Sequence, residues 1–301
     1  MHKIKNVIIA LLMIIAAGLG GAKAYIDHRL HIELDKSIKS VADKVIVEYS
    51  EVGTDLLGSV IISNLHLTAP DYAPVHIDTI TLYKAYQFYD RHSLPQQISI
   101  AIQGVHIPIS DTAPPPPVLM SAFGYAPYYL SPRELRGLGY ARINADMYLE
   151  VKLSENKAFL LGTVNAHAWG ELMLSVDLNN VPAPANWKRA ASQIQLAALA
   201  CTYTNKGLVN QVFTRLAQRN KMTLNRFKQT LITKLKNDLR QARIRLDASI
   251  LASLQQFIQT PQRLTIRLQP SPPIAINALF QVSPKRLGLK MTTLEHINDL
   301  D

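Results

Sequence analysis

Between residues 45 and 109, apolar side chains alternate with polar ones in short runs. That period belongs to strands, whose successive side chains point to opposite faces. Residues 45–49 are rich in β-formers. In 59–68, Val60, Ile62, Leu65 and Leu67 alternate with one break at Ser63-Asn64, where a bulge is expected. Val75, Ile77, Ile80 and Leu82 mark a third run, and Ile98, Ile100, Ile102, Val105, Ile107 and Ile109 a fourth. Ala69-Pro70-Asp71 and Ser93-Leu94-Pro95 supply turns between them. Successive runs without intervening helices predict an antiparallel meander with one apolar face.

Residues 110–140 interrupt the alternation. Four prolines at 114–117 predict an extended polyproline stretch, read as a stiff connection between sheet segments. A short helix should follow, with Ser131 as N-cap, Pro132 in the first turn and Glu134 closing a capping box. Strand pattern returns at 141–153 and at 159–178, where Gly162 and Gly170 suit a hairpin. Residues 193–204 read as a strand despite their alanines. From 206 to 258 the period becomes helical. Val209, Val212, Phe213 and Leu216 mark one helix. Leu224, Phe227, Leu231, Leu235 and Leu239 mark a second, with Thr223 as N-cap, and Leu246, Ile250, Leu254, Phe257 and Ile258 a third. Strands are expected again at 263–268 and 286–294, separated by Pro270, Pro272 and Pro273.

The beginning of the chain differs from everything after it. Residues 7–22 carry no charge, and Lys3 and Lys5 precede them. A basic start followed by an apolar run is the pattern of a signal anchor or a secretory signal peptide. About 16 residues of helix reach roughly 24 Å, short of the ~30 Å hydrocarbon core unless flanking residues extend the span. Ala22-Lys23-Ala24 also offers a small-x-small cleavage sequence, so both outcomes stay open. Either way the remainder is expected to be exported. Ile26, Leu30, Ile32, Leu34, Ile38 and Val41 then predict a helical stalk over 25–44. The reading is a segment 1–24 for targeting or anchoring, the stalk 25–44, and a β-rich periplasmic body 45–301. That body holds the proline-rich loop 110–137 and a helical insertion 206–259.

Net charge changes the choice of partners. The 301-residue chain carries +10, which suits an acidic partner such as anionic lipid. The charge concentrates in the helical stretch at Arg215, Arg219, Arg226, Lys228, Lys234, Lys236, Arg240 and Arg243, expected as contacts to an anionic surface. Nucleic acid is not expected, because the apolar N-terminus points to export. Cys201 is the single cysteine, so no internal disulfide can form.

Catalytic signatures do not emerge. There is no Gly-x-Ser-x-Gly elbow, no His-Glu-x-x-His and no phosphate-cradling loop. His76 and Asp78 fall on one side of a strand and could share a proton or a metal. Without a third ligand in view, they read as a polar sheet surface. His167 and Glu171 flank Trp169-Gly170 in the hairpin and read the same way. No cofactor and no enzymatic activity are expected.

The order of parts resembles the AsmA-like and YdgA-like inner-membrane proteins of Gram-negative bacteria. The apolar start, Val47-Glu48-Tyr49-Ser50 and the stretch Gly58-Ser59-Val60-Ile61-Ile62-Ser63-Asn64-Leu65-His66-Leu67 carry the likeness. The stretch is similar to that family's Gly-x-Val-x-Leu-x-Asn-Val-x-Leu opening strand. Tyr203-Thr204-Asn205-Lys206-Gly207-Leu208 and residues 261–268 with their trailing prolines add to it. The resemblance implies a single-pass inner-membrane anchor, a β-rich periplasmic body and a part in phospholipid movement or outer-membrane upkeep. The expected fold is α+β: a curved antiparallel sheet with a C-terminal helical insertion packed on it. A lipid groove would be lined by Val60, Ile62, Ile80, Leu82, Ile100 and Ile102. The alternative is a structural partner of another envelope complex.

Overall fold

The structure is a computed structural model. It describes residues 44–293 except 56, 71, 90–94, 112–129 and 183–190, together with six positions between 32 and 39. The apolar N-terminal segment, the candidate cleavage sequence and the four-proline run lie outside the described residues. No described helix is long and apolar enough to cross a membrane. The described positions between 32 and 39 are helical, as the stalk pattern predicts.

The fold is α+β, built on antiparallel sheet. The chain forms two compact units, 1–151 and 152–301. In the first, β1 (Ile46–Glu48) and β2 (Glu51–Thr54) both pair with β3 (Val60–Thr68). Next come β4 (Val75–Tyr83), β5 (Gln97–Pro108) and β6 (Arg142–Ser154), in that order across the sheet. β1 and β2 share one register on β3, so they are a single edge strand interrupted at Tyr49 and Ser50. The expected strand over 45–49 is only its first half. β2 escaped the pattern because Val52 is its one strongly apolar residue.

A row of irregular residues crosses this sheet. Asn64 has φ +50° and Gly104 φ +63°. Ser63 pairs with Thr79 and Leu65 with Ile77, so Asn64 stands opposite Asp78. Ile77 pairs with Val105 and Thr79 with Gln103, so Asp78 stands opposite Gly104. On each strand the buried aliphatic side chains larger than alanine change parity at this row. Val60 and Ile62 are buried before Asn64, Leu65 and Leu67 after it; Ile77 precedes Asp78, Ile80 and Leu82 follow; Ile100 precedes Gly104, Val105 and Ile109 follow. The expected bulge at Ser63-Asn64 is therefore a change of facing without a slip in register. Asn and Gly tolerate left-handed backbone, which lets the sheet keep its apolar side inward through the change.

The short helix α1 (Pro132–Gly137) begins with the expected capping box: Glu134 N–H donates to Ser131 Oγ, and Ser131 N–H donates to Glu134 Oε2. Arg136 ties it to β5 by donating to the Ile109 carbonyl.

The second unit contains a hairpin, β7 (Lys157–Ala166) and β8 (Gly170–Asn179), turned by Ala168 at φ +63°. β9 (Gln195–Asn205) pairs with β8, and β10 (Arg263–Leu268) with β9. A two-residue strand, β11 (Ile274–Ala275), also pairs with β9, and β12 (Lys290–Thr293) with β10. Three helices separate β9 from β10: α2 (Leu208–Arg219), α3 (Leu224–Gln241) and α4 (Ala248–Gln259). Thr223 caps α3 through Arg226 N–H, as its position predicts. Buried Val212, Phe213 and Leu216 on α2 and Phe227, Leu231 and Ile232 on α3 form the helical core. Phe213 and Phe227 rings meet at 6.1 Å.

The last strand is shorter than the sequence pattern suggests. Gly288 lies at φ +60°, and Gln269 N–H donates to the Leu287 carbonyl. A tight turn therefore occupies the segment before Lys290. A 3-10 turn over Ile276–Gln281 also departs from the strand pattern.

Candidate functional site

Cross-strand partners sort the second unit's sheet into two faces. Leu160, Gly162 and Val164 of β7 oppose Val176, Leu174 and Leu172 of β8. These in turn oppose Leu199, Cys201 and Tyr203 of β9. Leu268, Ile266 and Leu264 of β10 continue the row. The other face is mixed: it carries Thr163, Asn165, Glu171, Ser175, Asp177, Thr202, Thr265 and Arg267 together with Phe159, Leu161 and Met173, the last 42% exposed. One face is thus almost wholly apolar.

Among the described residues of this unit, α4 reaches that apolar face at one end. The Phe257 ring of α4 meets Tyr203 edge-on at 6.2 Å, and Leu264 is buried there. α4 otherwise runs beside β12: Ser253 Oγ donates to the Met291 carbonyl, and Thr293 Oγ1 donates to Gln256 Oε1. At the opposite end β11 pairs with β9 at Leu196, which is buried. Between these ends Leu172 is 41% exposed and Leu174 38%. Leu160, Val164, Val176, Leu199 and Ile266 are half-buried. The open stretch from Leu172 to Val176 spans about 13 Å along the strand and, over four strands, about 14 Å across. It has the width for an acyl chain. The Cys201 thiol sits within it, its pKa pushed up by burial, so it is a poor nucleophile.

The six residues expected to line a groove are elsewhere and are packed. Val60 faces Leu82 and Ile100, and Ile62 faces Ile80 and Ile102, so the structure does bring them onto one face. Five of them are core, with Ile80 only 1% exposed, and Ile102 is half-buried. A packed face leaves no volume for a ligand. The sequence shows which face is apolar, not whether something covers it. The exposed lining is the β7–β10 face, whose signal was the alternation of Leu172, Leu174 and Val176.

The basic helical residues divide. Arg215, Arg219, Arg226, Arg240 and Arg243 are exposed, and Lys234 and Lys236 half-buried. Lys228 is buried, and its Nζ donates to the Gln259 carbonyl at the end of α4. Its pKa is lowered by desolvation. Lys228 therefore ties α3 to α4 and is not a surface contact, a correction to the expectation from its charge alone. Lys206 donates to Asn165 Oδ1 and lies 3.9 Å from Glu171.

A second polar cluster lies in the first unit. His66, His76 and His106 stand in register on β3, β4 and β5. Ring centroids are 4.3 Å apart for His66 and His76 and 5.7 Å for His76 and His106. Asp78 Oδ1 is 2.9 Å from His76 Nε2, and Oδ2 is 3.6 Å from His106 Nε2. His106 Nδ1 is 2.7 Å from Asn144 Oδ1 on β6. The pair His76 and Asp78 was visible in the sequence. Its partners were not, because cross-strand register has no local signal.

A family model described as "Uncharacterized protein" matches residues 163–293, from within β7 to the last residue of β12. No curated protein matches the chain. The matched segment contains most of the open apolar face and all three helices.

Proposed function

We propose that this is a non-enzymatic envelope protein, held at the inner membrane by its apolar N-terminal segment, that shelters phospholipid acyl chains on the β7–β10 face of a periplasmic body. The observation that carries this reading is the exposure of Leu172 and Leu174 in the middle of a sheet. Soluble proteins ordinarily cover such a face, because exposed apolar area is unfavourable by about 25 cal/mol per Å². An apolar face exposed along its centre suits a flexible chain that enters and leaves. The exposed arginines of α2 and α3 support attraction to anionic headgroups. The alternative occupant is an apolar segment of another envelope protein.

A photo-crosslinking residue placed at 174 in the full chain, in cells, tests the reading, with Ser175 on the opposite face as control. Phospholipid adducts at 174 and none at 175 are expected. Adducts to a discrete protein at 174 would move the reading to an assembly partner. Lipid adducts equal at both positions, or none at either, would overturn it.

A further inference from the structure

One end of the first unit's sheet is an apolar tip that the β7–β10 face does not account for. The turn between β2 and β3 holds Leu57 81% exposed, the highest value among the large apolar side chains described. Hydrogen bonds pin this turn. Asp55 Oδ1 accepts from the N–H groups of Leu57 and Ser59, both at 2.8 Å, and Gly58 N–H donates to the Asp55 carbonyl. Ala85 N–H donates to the Gly58 carbonyl, which joins the turn to the segment after β4. The Tyr86 ring lies so close to Gly58 that a Cβ there would stand 2.9 Å from it. Tyr86 is exposed, as are Tyr83 at the end of β4 and Lys84 beside it. Turns are ordinarily polar. This one is fixed with a leucine outward and two exposed tyrosines next to it.

The edge strand shows where the N-terminal segment can reach. The Tyr49 hydroxyl meets Asp35, while Ile46, where the strand begins, stands about 10 Å from Tyr49 on the side away from the Leu57 turn. From Asp35 to Ile46 the chain therefore runs against the direction of β1 and β2. Traced backwards past Asp35, the same direction points to the turn, about 25 Å from Tyr49 along the strand. Thirteen residues lead from Ala22, the end of the apolar segment, to Asp35. They span roughly 20 Å as helix and about 40 Å extended. A membrane holding residues 7–22 is thus within reach of Leu57.

We infer that Leu57, Tyr83, Lys84 and Tyr86 form a second membrane contact, which seats this end of the first unit on the bilayer that holds the apolar N-terminal segment. The inference rests on the anchored reading above and adds an orientation to it: the β2–β3 turn toward lipid and Ile46 away from it. Leucine enters the acyl boundary, tyrosine rings lie at headgroup level, and Lys84 extends to phosphate. Charge agrees. Residues 83–89 contain no acid, and the Asp55 carboxylate is turned onto its own backbone.

The test places an environment-sensitive fluorescent amino acid at 57, or at the exposed Ile46 as control, in the full chain. The chain is reconstituted in vesicles of phosphatidylethanolamine and phosphatidylglycerol, with iodide on both sides. Position 57 should be quenched by lipids brominated near the headgroup end of the acyl chain and shielded from iodide, and position 46 the reverse. Lys84→Glu should lower the ratio of shielded to open label at least about fivefold, the effect of one cation at an anionic surface. Leu174→Asp should leave quenching at 57 unchanged, which separates contact with the bilayer from a carried lipid. A label at 57 as open to iodide as at 46, in chain that still floats with the vesicles, would overturn the second contact and leave the anchor standing. Chain that does not float would overturn both. Shielding at 57 that grows with the protein-to-lipid ratio, without quenching by bromine, would assign the tip to a second copy of this chain and overturn the membrane contact.

Discussion

Asp78 packs directly over the backbone of Gly104 on the neighbouring strand: a Cβ at position 104 would stand 1.9 Å from Asp78 Oδ2. Two separate effects make glycine necessary there. One is the φ of +63°, which costs an L-residue about 1–2 kcal/mol. The other is the collision with the carboxylate. Gly104→Ala should therefore destabilise the protein by about 2–4 kcal/mol, read as a lower urea midpoint. In Gly104→Ala with Asp78→Ala the clash with the carboxylate is gone, but the 2.7 Å approach to the Asp78 Cβ and the φ cost remain, so only part of the loss should return. A single variant as stable as wild type would sink the account of this row.

Two leucine-sized side chains on comparable strands should behave in opposite ways. Ile80 is packed and Leu174 is open. Ile80→Ala should cost about 2–4 kcal/mol, because it leaves a cavity. Leu174→Ala should cost less than about 1 kcal/mol, since little burial is lost. Binding of a fluorescent fatty-acid probe should show the reverse order, with Leu174→Asp abolishing it. Probe binding by the wild type should also slow alkylation of Cys201, which shares the open face. Equal stability losses at the two positions would show that Leu174 is covered.

This contrast also shows what the sequence could tell. Alternation of Val60, Ile62, Ile80 and Leu82 identified strands and an inward face, because a two-residue period needs only local information. It equally identified Leu172, Leu174 and Val176. Which set is buried depends on what packs against each face, and α4 lies largely beside β12 instead of over the sheet. The same limit hid His66 and His106. The Asn64 break was legible as an irregularity, because asparagine within a strand pattern disfavours regular pairing. Its alignment with Asp78 and Gly104 into a row required the register of three strands.

Asn205 holds the junction between β9 and the helices. Gly207 is the N-cap of α2 and has no side chain to offer. Asn205 Oδ1 takes that role, accepting from the N–H groups of Gly207 and Val209. Its Nδ2 donates to the Pro261 carbonyl, so one amide joins the start of α2 to the segment leading into β10. Asn205→Ala should cost about 1–2 kcal/mol. Asn205→Asp should retain the two accepted bonds and lose the tie to Pro261, giving a smaller loss. Denaturant midpoints of the two variants check this; an alanine variant within error of wild type would assign the junction's stability to the apolar packing of Leu208 and Val209 alone.

Tyr49 makes alkaline stability a measure of how firmly the edge strand holds the preceding segment. Its hydroxyl donates to Asp35 Oδ1 at 2.9 Å. Burial, then the hydrogen bond and the charge of Asp35, push its pKa up to about 12. In the unfolded chain a tyrosine titrates near 10. The native state therefore keeps a proton that the unfolded state has lost between about pH 10 and about pH 12. Stability from Tyr49 is fully present below that window and falls as pH rises through it. Tyr140, whose pKa burial also raises, adds a decline of the same sign. The comparison must therefore be with Tyr49→Phe and not with theory for one group. Urea midpoints measured from pH 9 to pH 11.5 should fall less steeply in Tyr49→Phe than in the wild type. Asp35→Asn should have the same effect, because it removes the charge that holds the phenol protonated. Parallel curves for all three proteins would show that the hydroxyl is free in solution and that the segment around Asp35 is not tied to β1.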